Sequence, residues 1–383
     1  MNGSPVYLDH AATTPLRPEA REAMLPLLTE RWGNPSSIHR FGREARAALE
    51  DARARLAAVL GAAPAEVFFT RAGTEADNLA VLGRARVRRG SPVVCSAVEH
   101  KAVLAAAHAA EAEGCSRMRV VPVDENGLVR LDALEATFAE LPALVSVMWA
   151  NNEVGAVQPV RAIARLCESG GVAFHSDAVQ ALGKVPVRVD EVPVDMLSFS
   201  AHKLGGPKGI GALFVRRGTQ LAPLLHGGGQ ERALRPGTED VAGAAAFAAA
   251  AEAAEQGRVA EMARLGALRD RLEAGLKERV PELVVNAAGA ERLPTILNVS
   301  VPGADPEALL MALDLEGIAA SSGSACSSGA VEPSHVLTAM GIPREVAGPS
   351  VRFSLGWPTT DADIDRALAV FPAVVERLRA LAG

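Results

Sequence analysis

The sequence predicts an α/β protein: a large domain on a mostly parallel, seven-stranded sheet, followed by a smaller α+β domain. Three observations predict this fold. Short apolar runs alternate with amphipathic helical patterns between about residues 60 and 215, the order expected for a parallel sheet with helices on both faces. A long alanine-rich helical stretch and then shorter strands follow it. The length of 383 residues exceeds what one ordinary core accommodates.

The strands expected in the large sheet are short runs rich in apolar and β-branched residues. They are Val67–Thr70, Pro92–Ser96, Arg119–Pro122, Leu144–Trp149, Val172–Ser176, Met196–Ser200 and Gly211–Val215. The helices expected between them are Glu75–Arg88, Ala102–Glu113, Leu131–Glu140 and Val160–Ser169.

The second half of the chain predicts a connecting helix and the smaller domain. The helix runs from about Gly243 to Val280, with an interruption expected at the polar stretch Glu255–Gly257. Two strands, Ile296–Val301 and Ser350–Ser354, are expected beyond it. We therefore expect a large domain over residues 16–255 and a small domain from residues 1–15 and 256–383.

Composition and charge favour an enzyme-sized globular protein over a nucleic-acid-binding one. Hydrophobic residues make up 49% and charged residues 22% of the chain, which is typical of globular proteins. The 39 Lys and Arg residues against 45 Asp and Glu residues give a net charge of −6. A nucleic-acid partner is not expected, because it would require a clustered basic face.

The sequence also predicts a cytoplasmic protein with no membrane or metal partner. The first residues show no basic region followed by an apolar run, so we expect no signal peptide. The most apolar helical stretch, Val241–Ala254, is too short to span a bilayer. The four cysteines contain no C-x-x-C pair, so a zinc site or disulfide framework is not expected, and a reducing compartment fits.

Lys203 ends the most informative segment of the chain. An apolar strand reaches Ser200-Ala-His-Lys203 and stops before a glycine-rich loop. Burying an ammonium group is costly, whereas an amine that must lose its proton to form a Schiff base suits such a position. A surface lysine at a loop entrance is the alternative for Lys203 taken alone.

Three other strand ends carry polar residues that are individually weak signals. Thr70–Glu75 opens a helix, where backbone N–H groups favour a phosphate, although Thr74 could be only an N-cap. His100 could stack on a ligand ring or cap the next helix, and Asn151-Asn152 could be only a turn. In open α/β sheets, ligands bind beyond the carboxyl ends of the strands, so these residues are expected along one edge.

Asp177 is a further polar residue at a strand end, and it indicates what the residues along this edge could bind. A buried carboxylate at a strand end needs a cationic or hydrogen-bonding partner. If that partner is a pyridinium nitrogen, the carboxylate keeps the ring protonated and able to accept electrons. A phosphate turn, Asp177 and Lys203 on one edge therefore predict a site for pyridoxal 5′-phosphate (PLP).

A set of motifs spans nearly the whole chain. They are Tyr7–Thr14, Gly33–His39, Thr70–Glu75, His100, Asn152, Asp177–Gln180, Ser200–Lys203, Arg235–Thr238, Ser321–Gly329 and Val351–Gly356. In these motifs the chain resembles the cysteine desulfurases, PLP enzymes of fold type I in the branch also called class V aminotransferases. Two adjacent positions depart from the family pattern T-S-G-x-T-E, since this chain has Arg71 and Ala72 in the phosphate turn.

The resemblance implies a role for each site residue. The cofactor-binding residues would be Gly73, Thr74, His100, Asn152, Asp177, Gln180, Ser200, His202, Lys203 and Thr238, the last serving the neighbouring subunit of a homodimer. The substrate would be bound by Asn34, Asn152 and Arg352, with Arg352 as the clamp on its α-carboxylate. The catalytic residues would be Lys203, His100 and Cys326.

Cys326 is the expected sulfur nucleophile. It lies in a run of serine, glycine and alanine that cannot pack a core, a composition that suits an accessible loop. Cys95, Cys115 and Cys167 lie in a strand, a turn and a helix, where cysteine usually acts as a small apolar residue.

The function implied is conversion of L-cysteine to L-alanine, with the sulfur left as a persulfide on Cys326. The sulfur would pass to an iron–sulfur scaffold or a sulfur-carrier protein. A selenocysteine lyase or an aminotransferase of the same fold is the alternative. A non-catalytic scaffold with this fold is the remote one, which the joint presence of Lys203, Asp177 and Arg352 disfavours.

Overall fold

The computed structural model describes residues 5–322 and 333–382. Its strands are β1 (Val6–Tyr7), β2 (Val67–Thr70), β3 (Val93–Ser96), β4 (Met118–Val121), β5 (Leu144–Ser146), β6 (Phe174–Asp177), β7 (Met196–Ser200), β8 (Gly211–Val215), β9 (Val284–Val285), β10 (Ile296–Ser300), β11 (Ile318–Ala319) and β12 (Ser350–Ser354). Its α-helices are α1 (Pro18–Thr29), α2 (Arg40–Leu60), α3 (Gly73–Val87), α4 (Lys101–Ala112), α5 (Leu131–Ala136), α6 (Val160–Gly170), α7 (Val241–Arg279), α8 (Pro306–Leu315), α9 (His335–Ala339), α10 (Arg344–Ala347) and α11 (Asp361–Ala382).

The large sheet confirms the predicted fold class. Its seven strands are ordered β2-β8-β7-β6-β5-β3-β4. Only β8 runs against the others, pairing antiparallel with β7 and with β2. Most of its strands are buried along their whole length, as expected for a sheet covered on both faces. The carboxyl ends of β2, β3, β5, β6 and β7 consequently share one edge.

Side-chain hydrogen bonds and glycine conformation define several ends of the helices around this sheet. Helix α4 begins after His100, whose ring accepts a hydrogen bond from the backbone N–H of Ala102. Helix α2 ends at Gly61, which has φ 70°, the left-handed conformation that glycine adopts at little cost. Helix α3 starts directly at the sheet edge, two residues after β2. Its first turn therefore faces the edge where the strands end.

Helix α7 corrects one expectation. It runs without interruption over 39 residues, although the polar stretch Glu255–Gly257 was expected to break it. The first half of the helix packs in the core beneath the large sheet, and the residues from Met262 to Leu276 pack in a second core. The polar stretch falls between the two cores, where Glu255 pairs with Arg258 at 3.0 Å. Helix-favouring polar residues can continue a helix at such a place.

The second core surrounds two small sheets. One has the order β12-β10-β9, and the other pairs β1 with β11 in parallel. Val6 and Leu8 belong to this core together with residues from β10, β12 and α11. The N-terminal strand therefore packs with the C-terminal part of the chain. The domain boundaries at residues 15/16 and 255/256 stay a prediction, which this distribution of the two cores favours.

Among the helices of the described chain, none is both long and apolar enough to cross a membrane.

Candidate active site

A cavity of about 390 Å³ opens at the carboxyl edge of the large sheet, within the range of small-molecule sites. Its lining includes most of the predicted site residues: Gly73, Thr74, His100, Asn152, Asp177, Gln180, Ser200, His202, Lys203 and Arg352. Asn34 and Thr238 are exposed and lie outside this lining. Cys326 falls outside the described residues. The roles of these three residues stay predictions.

The first turn of α3 forms one wall of the cavity. Gly73 and Thr74 line it, and the first N–H groups of a helix have no partner within the helix. A Cβ atom on Gly73 would lie 2.7 Å from Val179 Cγ2 and 3.5 Å from Ser200 Cβ. Only glycine lets the helix approach the strand ends this closely, which suits binding of a phosphate by backbone groups.

Arg71 and Ala72, the departures from the family pattern, leave this turn intact. The backbone N–H of Arg71 donates to Glu75 Oε2 at 2.6 Å. The Arg71 side chain is directed to Asp240, at 3.4 Å, and does not line the cavity. Ala72 has extended backbone and precedes the first helical residue. The helix N-terminus is thus presented to the cavity despite both substitutions.

Lys203 lies in a short 3₁₀ turn directly after β7. Its Nζ donates to the carbonyl oxygens of Ala11 and Ala12, each at 2.7 Å. The pKa of Lys203 is lowered to about 8: burial is the main cause, the charge of Arg352 acts in the same direction, and Asp177 and Asp9 oppose the shift. An amine with a pKa near 8 is partly neutral at physiological pH and can act as a nucleophile or a base.

Asp177 is the last residue of β6 and is buried. Its Oδ1 accepts a hydrogen bond from the backbone N–H of Val179 at 2.9 Å. Burial raises the pKa of this carboxyl, while the nearby His100 and Lys203 lower it. A positively charged ring nitrogen in the cavity would supply the partner that a buried carboxylate requires.

The side chains beside these two residues are oriented by hydrogen bonds. His100 Nδ1 accepts from the backbone N–H of Ala102 at 3.1 Å, so the ring proton is assigned to Nε2. Gln180 Nε2 donates to the Ala11 carbonyl at 3.0 Å, and its Oε1 accepts from Lys184 Nζ at 2.8 Å. Burial is the main cause that lowers the pKa of His202 to about 4, so this imidazole is neutral at physiological pH.

Arg352, on β12, reaches the same cavity from the small sheets. Its Nη2 pairs with Asp9 Oδ1 at 2.7 Å, and its Nη1 donates to the Asn152 carbonyl at 2.9 Å. Its Nε is buried and has no hydrogen-bond partner among the described residues. A guanidinium held by two partners and keeping a free N–H is prepared to bind a carboxylate.

Several residues at the site were not predicted. Asp77 and Asp9 are the most significant: Asp77 lines the cavity, and Asp9 pairs with Arg352. Helical spacing could have found Asp77, since it lies four residues after Gly73 on the same helix face. No local signal identifies the partner of Arg352, because Asp9 is 343 residues away in sequence.

The described cysteines agree with the structural role expected for them. Cys95, Cys115 and Cys167 are buried and form no disulfide. Burial raises the pKa of the Cys95 thiol, and it raises that of Cys167 to about 12. Neither of these two is a thiolate at physiological pH, so neither is a good nucleophile.

These residues fit PLP. The cavity combines a helix N-terminus for a phosphate, a buried carboxylate for a ring nitrogen and a lysine of lowered pKa for an aldehyde. Arg352 lines the same cavity and adds a group that can bind the carboxylate of a substrate.

The comparisons with known proteins agree with this geometry. The family model described as Aminotransferase class-V matches residues 6–367. The chain is 45% identical over 378 residues to the cysteine desulfurase IscS of Dictyoglomus turgidum, covering 98% of this chain and 96% of that one. It is 48% identical over 381 residues to a cysteine desulfurase of Cereibacter sphaeroides, with 98% and 97% covered.

Solved structures give the same result for the fold. A NifS-like protein superposes with a TM-score of 0.90 at 36% identity, covering 98% of this chain and 100% of that one. SspA, solved in complex with cysteine, superposes with a TM-score of 0.81 at 32% identity, with 93% and 100% covered.

Proposed function

The chain belongs to the class-V aminotransferase family and is a PLP-dependent cysteine desulfurase, and we propose how its own residues divide that work. The observation that carries the proposal is the convergence of Lys203, Asp177 and Arg352 on one cavity from three separate parts of the chain. The substrate is L-cysteine, and the products are L-alanine and a persulfide on Cys326.

Binding of the cofactor falls to the large sheet and α3. The N–H groups of Gly73 and Thr74 would hold the phosphate, and Asp177 would keep the ring nitrogen in its charged form. When bound, PLP supplies an electrophilic carbonyl carbon and a ring that takes up the electrons released at the substrate α-carbon. Gln180, Ser200 and His202 would orient the ring, together with Asn152 and His100, all of which line the cavity.

Lys203 moves the proton at the substrate α-carbon. Its pKa of about 8 lets Nζ both take up and release a proton near neutral pH. The carbonyl oxygens of Ala11 and Ala12 hold Nζ in the cavity through hydrogen bonds. These contacts restrict the amine to one wall of the cavity and so limit the positions from which it can reach the substrate α-carbon.

Arg352 positions the substrate by its carboxylate. The guanidinium keeps its contact with the Asn152 carbonyl while its free N–H groups bind the substrate. Asp9 accepts from the opposite side of the fork and limits rotation of the side chain. Asn34 contributes a further substrate contact on the basis of the family motif Gly33–His39.

Cys326 takes the sulfur. Its thiolate attacks the substrate sulfur, the carbon–sulfur bond breaks, and the electron pair stays on the carbon that becomes the methyl group of alanine. A proton from Lys203 or His100 Nε2 completes that methyl group. Cys326 is four residues from Ser322, so chain length alone allows it to lie up to roughly 14 Å from that residue. Ser321 and His335, which flank this segment, both line the cavity.

The persulfide then passes to an iron–sulfur scaffold or a sulfur-carrier protein in the cytoplasm. The enzyme acts as a homodimer in which Thr238 completes the phosphate site of the neighbouring subunit. Thr238 is exposed and outside its own cavity, as a residue with that role would be. A fully active monomer would contradict this arrangement.

The test is turnover of L-cysteine by the purified protein in the presence of a reductant and without a keto acid. We expect alanine and sulfide in equal amounts from the native enzyme. Cys326→Ala should form no alanine, whereas Cys167→Ala, at a buried thiol, should keep activity. Mass spectrometry without reductant should place an added sulfur on Cys326 alone.

Three outcomes would overturn the proposal. Alanine formation by Cys326→Ala at the native rate would leave a lyase that needs no thiol. A requirement for a keto acid would indicate an aminotransferase, and a strong preference for selenocysteine over cysteine would indicate a selenocysteine lyase.

A further inference from the structure

Asp77 is a second buried carboxyl at the cofactor end of the cavity. It lies on α3, is 1% exposed and lines the cavity. One oxygen of Asp77, one of Asp177 and a ring nitrogen of His100 all lie within 4.8 Å of one another. The Asp77 Oδ1 atom is buried and has no hydrogen-bond partner among the described residues. None of the steps assigned to the cavity uses this group.

Two carboxylates this close cannot both be charged at a buried site without a cation between them. Of the two carboxyl groups, that of Asp177 is the one whose ionised form is better stabilised. It accepts a backbone N–H bond from Val179, and His100 and Lys203 favour its ionised form. Asp77 faces Asp177 and Glu99, both acidic, and the hydroxyl of Ser198 is the group near it that favours its charged form. Burial and the charge of Asp177 raise the pKa of Asp77 well above its usual range.

Buried polar side chains continue from Asp77 beneath the sheet, and Asp77 Oδ1 lies 3.7 Å from His175 Nε2. Ser198 Oγ lies 2.9 Å from His175 Nε2, and His175 Nδ1 lies 2.8 Å from Ser146 Oγ. His175 is fully buried, and burial lowers its pKa to about 3, so the ring is neutral. When the His175 proton is on Nδ1, His175 Nε2 accepts a hydrogen bond from the Ser198 hydroxyl. The Ser198 oxygen is then free to accept a hydrogen bond from a protonated Asp77 carboxyl.

We propose that Asp77 is a positioning residue that stays a neutral carboxylic acid and keeps Asp177 as the only charged carboxylate facing the cofactor. The Asp77 O–H group donates a hydrogen bond to Ser198, and each hydrogen bond in the chain Asp77, Ser198, His175 and Ser146 is donated in the same direction. A single negative charge at this end of the cavity then selects a ligand ring that carries one positive charge. The inference rests on the proposed cofactor site but concerns the protonation of the protein itself.

The test is infrared spectroscopy of the holoenzyme labelled with ¹³C in the aspartate carboxyl groups. Aspartate labelling separates the band of Asp77 from that of Glu99, which is also buried and has a pKa raised by burial to about 8. At neutral pH we expect a carbonyl band from a protonated aspartate in the native enzyme. Asp77→Asn should abolish this band.

Asp195→Asn is the matched control. Asp195 is a partly buried aspartate beside the same sheet, its pKa is also raised by burial, and it lies outside the cavity. This variant should keep the Asp77 band. Asp177→Asn should also keep it, so the assignment can be decided even if Asp77→Asn does not fold.

A band that survives in Asp77→Asn and disappears in Asp177→Asn would place the proton on Asp177 and overturn the inference. The absence of a protonated aspartate in the native enzyme would overturn it as well. PLP retention is measured separately by dialysis. Loss of PLP from the native enzyme would contradict the proposed function, while the infrared result would still locate the proton.

Discussion

Gly73→Ala tests whether close packing of α3 against the strand ends creates the phosphate site. Gly73 does not have positive φ, so alanine is compatible with its backbone and the effect is one of space. The new Cβ would lie 2.7 Å from Val179 Cγ2, whereas carbon atoms pack at about 3.5–4.0 Å. The helix or the valine must therefore shift by roughly 1 Å.

The magnitude follows from which of the two moves. If the first turn of α3 moves away from the sheet, its N–H groups lose most of one hydrogen bond to the phosphate. A hydrogen bond to a charged group contributes about 1.5–3 kcal/mol. The dissociation constant of PLP should therefore rise about 10- to 100-fold. The overpacking itself should lower the free energy of unfolding by about 1–3 kcal/mol.

The assay is PLP titration of the apoenzyme, followed by fluorescence, combined with urea unfolding. Val179→Ala removes the atom that the new Cβ meets, so the double variant Gly73→Ala/Val179→Ala should recover most of the affinity lost in Gly73→Ala. Gly83→Ala is the control on the same helix. Its Cβ would meet the Ala222 carbonyl oxygen at 2.8 Å, away from the cavity, so it should lower stability without a selective effect on PLP. Native affinity in Gly73→Ala, or no recovery in the double variant, would refute the packing argument.

Three further predictions concern the amine, the clamp and a buried ion pair. The rate at which PLP becomes covalently attached to the apoenzyme should rise with pH and level off above about 8, the pKa of Lys203, because only the neutral amine reacts. Borohydride reduction and peptide mapping should locate the adduct on Lys203, and an adduct elsewhere would contradict the assignment. Arg352→Lys should raise the KM for cysteine about tenfold or more, because a point charge replaces a fork, with PLP content unchanged; an unchanged KM would mean that another residue binds the carboxylate. Glu231→Gln should lower the free energy of unfolding, measured in urea, by about 1.5–3 kcal/mol, the contribution of a hydrogen bond to a charged group. Arg53 and Glu231 form a buried pair at 2.8 Å, and Arg53 keeps Glu50 at 3.0 Å as a second partner. A loss under about 1 kcal/mol, the range of surface pairs, would show that the pair is solvated.

The large sheet could be predicted from sequence because its signals are local. The strands Val67–Thr70, Met196–Ser200 and Gly211–Val215 have the predicted bounds, since short apolar runs are interrupted there by glycine or polar residues. Leu144–Ser146 ends earlier than expected. The backbone N–H of Val147 nevertheless still donates to the His175 carbonyl, so the extended chain continues past the regular ladder.

The residues at the carboxyl edge of the sheet could be predicted for the same reason, whereas the residues that they contact could not. Parallel strands bring their carboxyl ends together whatever the loops do, which placed Asp177 and Lys203 in one cavity. The partner of Arg352 depends on how the N-terminal segment packs on the small sheets. The uninterrupted course of α7 depends on which residues bury its two halves. Neither can be read from neighbouring residues.

The N-terminal segment from Asp9 to Ala12 contacts both Arg352 and Lys203. Asp9 pairs with Arg352, while the carbonyl oxygens of Ala11 and Ala12 hold Lys203 Nζ. Asp9 itself forms a bridge to Ser354 on the same strand as Arg352. Arg352, the proposed substrate clamp, and the Lys203 amine are therefore positioned by one short segment that packs with the small sheets and reaches into the large-sheet cavity. Because a substrate must reach both Arg352 and Lys203, a shift of this segment would alter carboxylate binding and proton transfer together, whereas a shift of the first turn of α3 would act through cofactor binding.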